Sequence, residues 1–248
     1  MTLRAVTSAE RPDLWRRSDE EITGVWPEYN LHGDVLNEYW GRLDEDFADF
    51  QFVLHDDEAD IVLAQGHSIP CAWDGTVAGL PAGIDGLIED AFRLRETGGA
   101  PNALSALAIE IPPAHQRQGL SEPVLDGMRE LAVRHGFDHL IAPLRPTWKE
   151  RYPLTPIERY AAWAREDGFP FDPWIRLHVR LGGEILAPDA RSLRITGTVA
   201  DWEAWTDLPF PESGSYVFPH GLAPLTVDRE RDRGEYWEPN VWVRHRIP

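Results

Sequence analysis

Between Glu110 and Ser121 the chain sets a carboxylate in an apolar run, then Pro112-Pro113, then the turn His115-Gln116-Arg117-Gln118-Gly119-Leu120-Ser121. The order reads as an apolar strand over 104–111, a Gly/Gln/Arg turn, and an amphipathic helix opening at Ser121. It brings backbone N–H groups and the positive end of a helix dipole to one point, which suits an anion and a diphosphate best. An ordinary strand–turn–helix is the competing reading, since short glycine motifs are weakly specific. Glu110 is the second chemical residue. Strand alternation turns it away from the face of Ile109 and Ile111, and an ionisable group in so apolar a strand needs a partner or a task. A solvent-facing glutamate paired with an arginine is the alternative.

Other chemistries lack their residues. The nine histidines include no His-Glu-x-x-His pair and no zinc spacing with cysteine, so no metal site is expected. His55 beside Asp56 and Asp57 reads as a turn. There is no Gly-x-Ser-x-Gly elbow and no Gly-x-x-x-x-Gly-Lys loop. The single cysteine, Cys71, excludes an internal disulfide and has no nucleophile signature around it.

The elements that must hold these residues follow from periodicity and punctuation. Residues 2–6 read as a first strand, 11–23 and 34–46 as helices, and 50–54 and 60–73 as strands around an acidic turn. Residues 84–96 form a helix closed by Gly98-Gly99. After the strand at 104–111, Val124, Leu125, Met128, Leu131 and Ala132 share one helix face, which ends at Arg134-His135-Gly136. Residues 139–143 then make a second strand, so this stretch reads as a parallel β-α-β unit. Thr155-Pro156-Ile157-Glu158 reads as a capped helix start that puts Tyr160, Trp163 and Ala164 on one face. Residues 174–181 and 193–199 read as a closing strand pair, and the Pro- and Trp-rich tail from Asp207 shows no period.

The 248 residues are 42% hydrophobic with eleven tryptophans, enough for a substantial core. No apolar run approaches the ~18 residues of a membrane span, and the N-terminus lacks the apolar stretch of a secretory signal. A cytoplasmic protein without a membrane partner is expected. Net charge is −18, and the first hundred residues carry 21 Asp/Glu against 7 Arg. Such acidity argues against nucleic acid and favours a cationic or amine-bearing partner, with plain solubility as the bland alternative.

At Ile111-x-Pro113-x-His115-Gln116-Arg117-Gln118-Gly119-Leu120-Ser121 the chain resembles motif A of the GCN5-related N-acetyltransferases, a Gln/Arg-x-x-Gly-x-Gly/Ala turn after a strand. Gln116 and Gly119 match, and Ser121 stands where the family has Gly or Ala. The order of elements over roughly residues 1–200 fits as well. The resemblance implies an α/β fold with a mixed, mostly antiparallel central sheet flanked by helices. It implies an acyltransferase domain over 1–204, with 205–248 as an extension packed on it. It also implies acetyl-CoA as acyl donor and a small primary amine, cationic by the charge reading, as acceptor in a ternary complex.

Residue by residue, the resemblance implies that Gln116, Arg117, Gln118, Gly119, Leu120 and Ser121 cradle the pyrophosphate. The strand edge ending at Ile111 would pair with the pantetheine amides. Backbone N–H groups near Ile109 and Ile111 would hold the oxyanion. Glu110 becomes the candidate base for the amine. A tyrosine commonly serves the departing thiolate; Tyr160 is the candidate, about a turn before the family position near Trp163 or Ala164, with Tyr152 as runner-up and core packing as the bland reading. Lys149 and Arg145, in the insertion 144–153, could meet a CoA phosphate, and Asp167, Phe171, Asp172 and Trp174 fall near the expected acceptor mouth. A homodimer is compatible with the family. The bias of 23 arginines to one lysine suggests a GC-rich bacterial coding genome. The alternatives are an inactive acyl-CoA sensor, and a protein or peptide N-acetyltransferase.

Overall fold

The structure, a computed structural model, describes residues 2–247. Its strands and helices run β1 (Leu3–Thr7), α1 (Pro12–Glu21), α2 (Leu36–Trp40), α3 (Leu43–Asp46), β2 (Gln51–Asp56), β3 (Ile61–Cys71), α4 (Gly83–Glu96), β4 (Ala103–Glu110), α5 (Ser121–Arg134), β5 (His139–Leu144), α6 (Ile157–Ala161), α7 (Pro173–Arg180), β6 (Glu184–Gly197), α8 (Val199–Thr206), β7 (Gly214–Tyr216), β8 (Leu225–Asp228) and β9 (Arg233–Arg246). The sheet order is β1-β2-β3-β4-β5-β9-β8-β7, with β6 also paired to β9. Among the described residues only β4 and β5 run parallel, joined by α5 as a β-α-β crossover. The fold is therefore mixed α/β with a mostly antiparallel sheet. No helix among the described residues is long and apolar enough to cross a membrane.

The sheet is covered on both faces. Leu104, Leu125, Met128, Leu131, Leu140, Val241 and Val243 fill one core beneath α5 and α7. Ile69, Leu87, Phe92, Ala103, Ile141 and Trp242 belong to the core on the opposite face, beneath α4. The five apolar positions read from the α5 sequence are all buried. Gly83 opens α4 at φ +71, and a Cβ there would lie 2.3 Å from the Ser192 carbonyl oxygen, so glycine is needed for both angle and space.

The register of β4 creates the working space. It pairs with β5 only at Ala103–His139, Leu104–Leu140 and Ser105–Ile141. Beyond those pairs β4 continues on β3 alone, and β5 continues on β9. The two parallel strands therefore splay. A bulge opposite His67/Ser68 leaves Leu107 as an extra residue in β4. It reverses the strand's parity: Leu104 and Ala106 join the α5 core before it, and Ile109 and Ile111 pack on that core after it. Glu110 is thereby left on the opposite face.

Four readings of the sequence are corrected. Residues 174–181 form a helix, not a strand: Asp172 accepts from the N–H groups of Trp174 and Ile175, and Pro173 fits the first turn. The partner of β6 is instead β9. Thr155 makes no cap; α6 starts after Pro156 without a side-chain bond and lasts five residues. The helix expected over 34–46 breaks into α2 and α3 around Gly41-Arg42. The aperiodic tail supplies β7, β8 and β9, and β9 lies inside the sheet between β5 and β6.

Candidate active site

A cavity of about 740 Å³ occupies the splay between β4 and β5. Its lining draws on both cores. Leu125, Leu144 and Trp174 come from the α5–α7 face, and Leu36, Ile84 and Leu193 from the other. The cavity therefore crosses the sheet, so a ligand entering from the α5 side can meet one entering from the opposite side. Beyond Ser105 the edge of β4 has lost β5 as a hydrogen-bonding partner, which leaves alternate backbone groups open to the cavity.

On the α5 side, Gln116 and Ser121 line the cavity. Gln116 Nε2 donates to the Ile111 carbonyl at 3.0 Å, and Gln118 Nε2 to the Ala114 carbonyl at 3.0 Å, which pins the turn from both ends. Arg117 and Gly119 take positive φ values of 62° and 79°. No atom lies within 4 Å of a Cβ built on Gly119, so the space over the turn is open. Leu120 is buried in the core and can offer only its backbone. No side chain caps α5, so its first-turn N–H groups are available to an anion.

On the opposite face, Glu110 lines the cavity and its side chain is 12% exposed. Trp26 Nε1 donates to its Oε1 at 2.7 Å. Burial raises the Glu110 pKa above the ordinary 4.5; the Trp26 N–H opposes the rise and the charge of Asp19 adds to it. His67 Nε2 stands 3.9 Å from the same oxygen. Gln51 spends its amide hydrogens on the carbonyls of Phe47 and Ser68, so its oxygen must accept from His67 Nδ1 at 3.2 Å. His67 Nε2 is then a lone pair facing Glu110. Burial lowers the His67 pKa to about 3, which keeps the ring neutral. Trp15 and Trp40 flank that ring at 5.4 and 4.8 Å.

The third wall comes from β9 and the start of the insertion. Arg145 Nε donates to Glu238 Oε1 at 3.0 Å, and its Nη2 to Tyr29 Oη and the His220 carbonyl at 2.9 Å each. Glu238 also accepts from Tyr29, Asn30 and Tyr236. Burial works against the Arg145 charge, but Glu238, Tyr29 and Tyr236 together outweigh it and hold the guanidinium well above its ordinary pKa. Asn240 is buried and donates Nδ2 to the Pro143 carbonyl at 2.9 Å, while its Oδ1 has no partner among the described residues. Arg145, Glu238 and Asn240 all line the cavity.

The structure brings Glu110, Ile109, Ile111, Gln116 and Ser121 to one cavity; Arg117, Gln118, Gly119 and Leu120, in the turn between Gln116 and Ser121, are not in its lining, nor are Tyr160 and Lys149. Tyr160 is buried, and its hydroxyl donates to Asp172 Oδ2 at 2.8 Å; burial and the adjacent carboxylate push its pKa up, away from use as an acid. Lys149 is 1% exposed, and its ammonium is spent on the carbonyls of Tyr152 and Leu222. Burial lowers its pKa to about 8. It fastens the insertion to the tail. Of the residues expected near the acceptor mouth, Trp174 lines the cavity, whereas Asp172 caps α7. Sequence reasoning missed Trp26, Trp40, His178, Glu238 and Asn240. Only His178 had a usable signal: Asp172-Pro173 before it and Gly182-Gly183 after it mark a helix.

No protein-family model matches the chain. The arginine N-acetyltransferase avaD of Aspergillus versicolor is 33% identical over 272 residues, spanning 97% of this chain and 93% of that protein. Among solved structures, the loading GNATL domain of CurA from Lyngbya majuscula matches with a TM-score of 0.59 at 18% identity, covering 99% of this chain and 97% of that one. The GphF GNAT-like decarboxylase in complex with isobutyryl-CoA matches with a TM-score of 0.56 at 16% identity over 100% of both chains. At these identities the two structures speak for the fold alone.

Proposed function

The chain belongs to the GCN5-related N-acetyltransferases, and from that premise we propose that it transfers an acetyl group from acetyl-CoA to a primary amine of a small cationic molecule, arginine or a close analogue of it. The observation that carries this reading is the cavity through the sheet, with an uncapped helix start at one mouth and Glu110 at the other. The 33% identity to an arginine N-acetyltransferase supports the acceptor class. So do the acidic Glu28 and Glu110 and the aromatic Trp26 and Trp40 of the lining, since carboxylates and indole faces both attract a cation.

The residues present fit the donor. The pyrophosphate would meet the α5 start at Gln116–Ser121, where the open space over Gly119 admits it. The pantetheine would run along the free edge of β4. A base is needed because the amine arrives protonated. Glu110 as carboxylate takes that proton; its raised pKa brings it closer to neutrality, where a general base works best. The amine nitrogen then attacks the thioester carbonyl, the C–S bond breaks, and the second proton of that nitrogen passes to the departing CoA sulfur, which leaves as the thiol. Unpaired N–H groups around the Leu107 bulge would hold the oxyanion. A guanidinium, with a pKa above about 12, is out of reach of a carboxylate base, so the nucleophile is a primary amine.

Incubation with acetyl-CoA and a panel of arginine, Nα-blocked arginine, agmatine, ornithine and lysine, read by thiol release and product mass, tests the reading. Mono-acetylation of a cationic amine supports it. CoA binding without turnover on any amine would favour a non-catalytic acyl-CoA sensor.

A further inference from the structure

His178, on α7, lines the cavity on the α5 side and is 1% exposed. Its Nε2 is buried without a hydrogen-bond partner among the described residues. Native structures rarely leave a buried polar atom unpaired, so such an atom on a cavity wall points to a ligand. The other ring nitrogen, Nδ1, lies 2.9 Å from Nε2 of His245 on β9. His245 Nδ1 lies 2.8 Å from Arg129 Nη2 on α5.

This chain of contacts has one consistent set of protons. A guanidinium only donates, so His245 Nδ1 accepts from Arg129 and His245 carries its hydrogen on Nε2. That hydrogen goes to His178 Nδ1, which must then be the acceptor. His178 therefore bears its hydrogen on Nε2, facing the cavity. Burial first, then His245 and Arg129, lower the His178 pKa to about 3; burial and Arg129 lower that of His245 to about 4. Both rings stay neutral through the physiological range.

We propose that His178 Nε2–H is an uncharged hydrogen-bond donor to a carbonyl oxygen of the pantetheine–thioester arm of acyl-CoA, with Arg129 and His245 as positioning residues that fix its tautomer. The inference rests on the reading above that acyl-CoA occupies this cavity. The placement supports it. His178 shares its face with the phosphate turn, and between that turn and the reacting carbon the donor offers amide and thioester carbonyls as acceptors. A neutral ring suits a carbonyl in an apolar wall, where a charged one would have to be desolvated. Tyr160, the residue expected in this region, supports the arrangement indirectly: its hydroxyl and the N–H groups at the start of α7 share Asp172, which anchors the helix carrying His178.

The test is histidine-selective ¹⁵N labelling with long-range ¹H–¹⁵N correlation on the whole chain, alone and with 3′,5′-ADP, CoA or acetyl-CoA. Calorimetry of the same mixtures measures binding. The expected result is a neutral, Nε2-protonated pattern for His178 and His245 from pH 5.5 to 8. The His178 Nε2 proton should move downfield with CoA or acetyl-CoA and stay in place with 3′,5′-ADP. A shift with CoA assigns a pantetheine amide; a shift confined to acetyl-CoA assigns the thioester. His178→Phe should weaken binding of the responding ligand about three- to tenfold, the value of one hydrogen bond, with His178→Gln intermediate and the KM for the amine unchanged. Arg129→Met should give mixed tautomers at both histidines. An Nδ1-protonated His178, or an unmoved His178 proton when calorimetry shows bound acetyl-CoA, would overturn the inference while leaving the acetyltransferase reading intact. No binding of any CoA species would overturn both. The spectra of the unaltered protein decide the matter even if a variant fails to fold.

Discussion

Trp26 Nε1 donates to Glu110 Oε1 at 2.7 Å, joining the loop after α1 to the last residue of β4. This bond steadies the carboxylate in its charged form, while burial favours the neutral form and wins. The two effects give a direct handle on the base.

Activity needs Glu110 deprotonated, so kcat/KM must rise as pH climbs through its folded pKa, which lies above the ordinary 4.5. Trp26→Phe removes the group that lowers this pKa, so the acid limb should move to higher pH. Asp19→Asn removes a charge that raises it and should move the limb down. A pH–rate profile of the three proteins measures both displacements. A common limb would separate Glu110 from the rate.

Tyr160→Phe should leave kcat within about twofold while lowering stability by about 1 kcal/mol, the value of one hydrogen bond. At this chain length that is a melting shift of about 2–4 °C. The reason is the 2.8 Å bond to Asp172, which anchors α7 and lies outside the cavity lining. Thermal melts alongside initial rates check it; a hundredfold fall in kcat with an unchanged melt would restore Tyr160 to the chemistry.

Gly119→Ala should raise the KM for acetyl-CoA and barely alter the KM for the amine. With φ at +79° and no atom within 4 Å of a Cβ, the methyl group meets strain rather than a clash. The cost to the turn is about 1 kcal/mol or more. Steady-state kinetics with each substrate varied in turn separate the two constants.

Asn240→Leu should do the reverse. It removes the unpartnered Oδ1 on the cavity wall and leaves the Pro143 carbonyl without its donor. The KM for the amine should rise several-fold, as for a lost hydrogen bond, with that for acetyl-CoA held. The same kinetic matrix reads the outcome.

Much of the frame was legible because its signals are local. The apolar face of α5, its Gly136 stop and the strands on either side follow from spacing and punctuation, and Glu110 stands out as a charge within an apolar strand. The reversal of parity at Leu107 was not legible, because a bulge depends on the register of β3. Nor was β9: Glu235, Glu238, Pro239 and Asn240 interrupt its pattern, and Glu238 is tolerated inside only because Arg145, Tyr29 and Asn30, distant in sequence, satisfy it. The same holds for His178 and Lys149, whose roles are set by partners on other elements. Asp172 caps the start of α7, a role hidden by the strand reading of residues 174–181.

In the proposed reaction this cavity carries acetyl from acetyl-CoA to a cationic amine with Glu110 as base. The most direct measurement is product mass and thiol release from acetyl-CoA and L-arginine, for the unaltered chain and for Glu110→Gln, with acetyl-CoA binding followed by calorimetry in both. The account predicts mono-N-acetylated product matched by released thiol, and a loss in Glu110→Gln of about 10²–10⁴-fold, the usual worth of a general base, with acetyl-CoA binding retained. Undiminished turnover in Glu110→Gln, or bound acetyl-CoA with no acetylated product from arginine or any other amine of the panel, would contradict it.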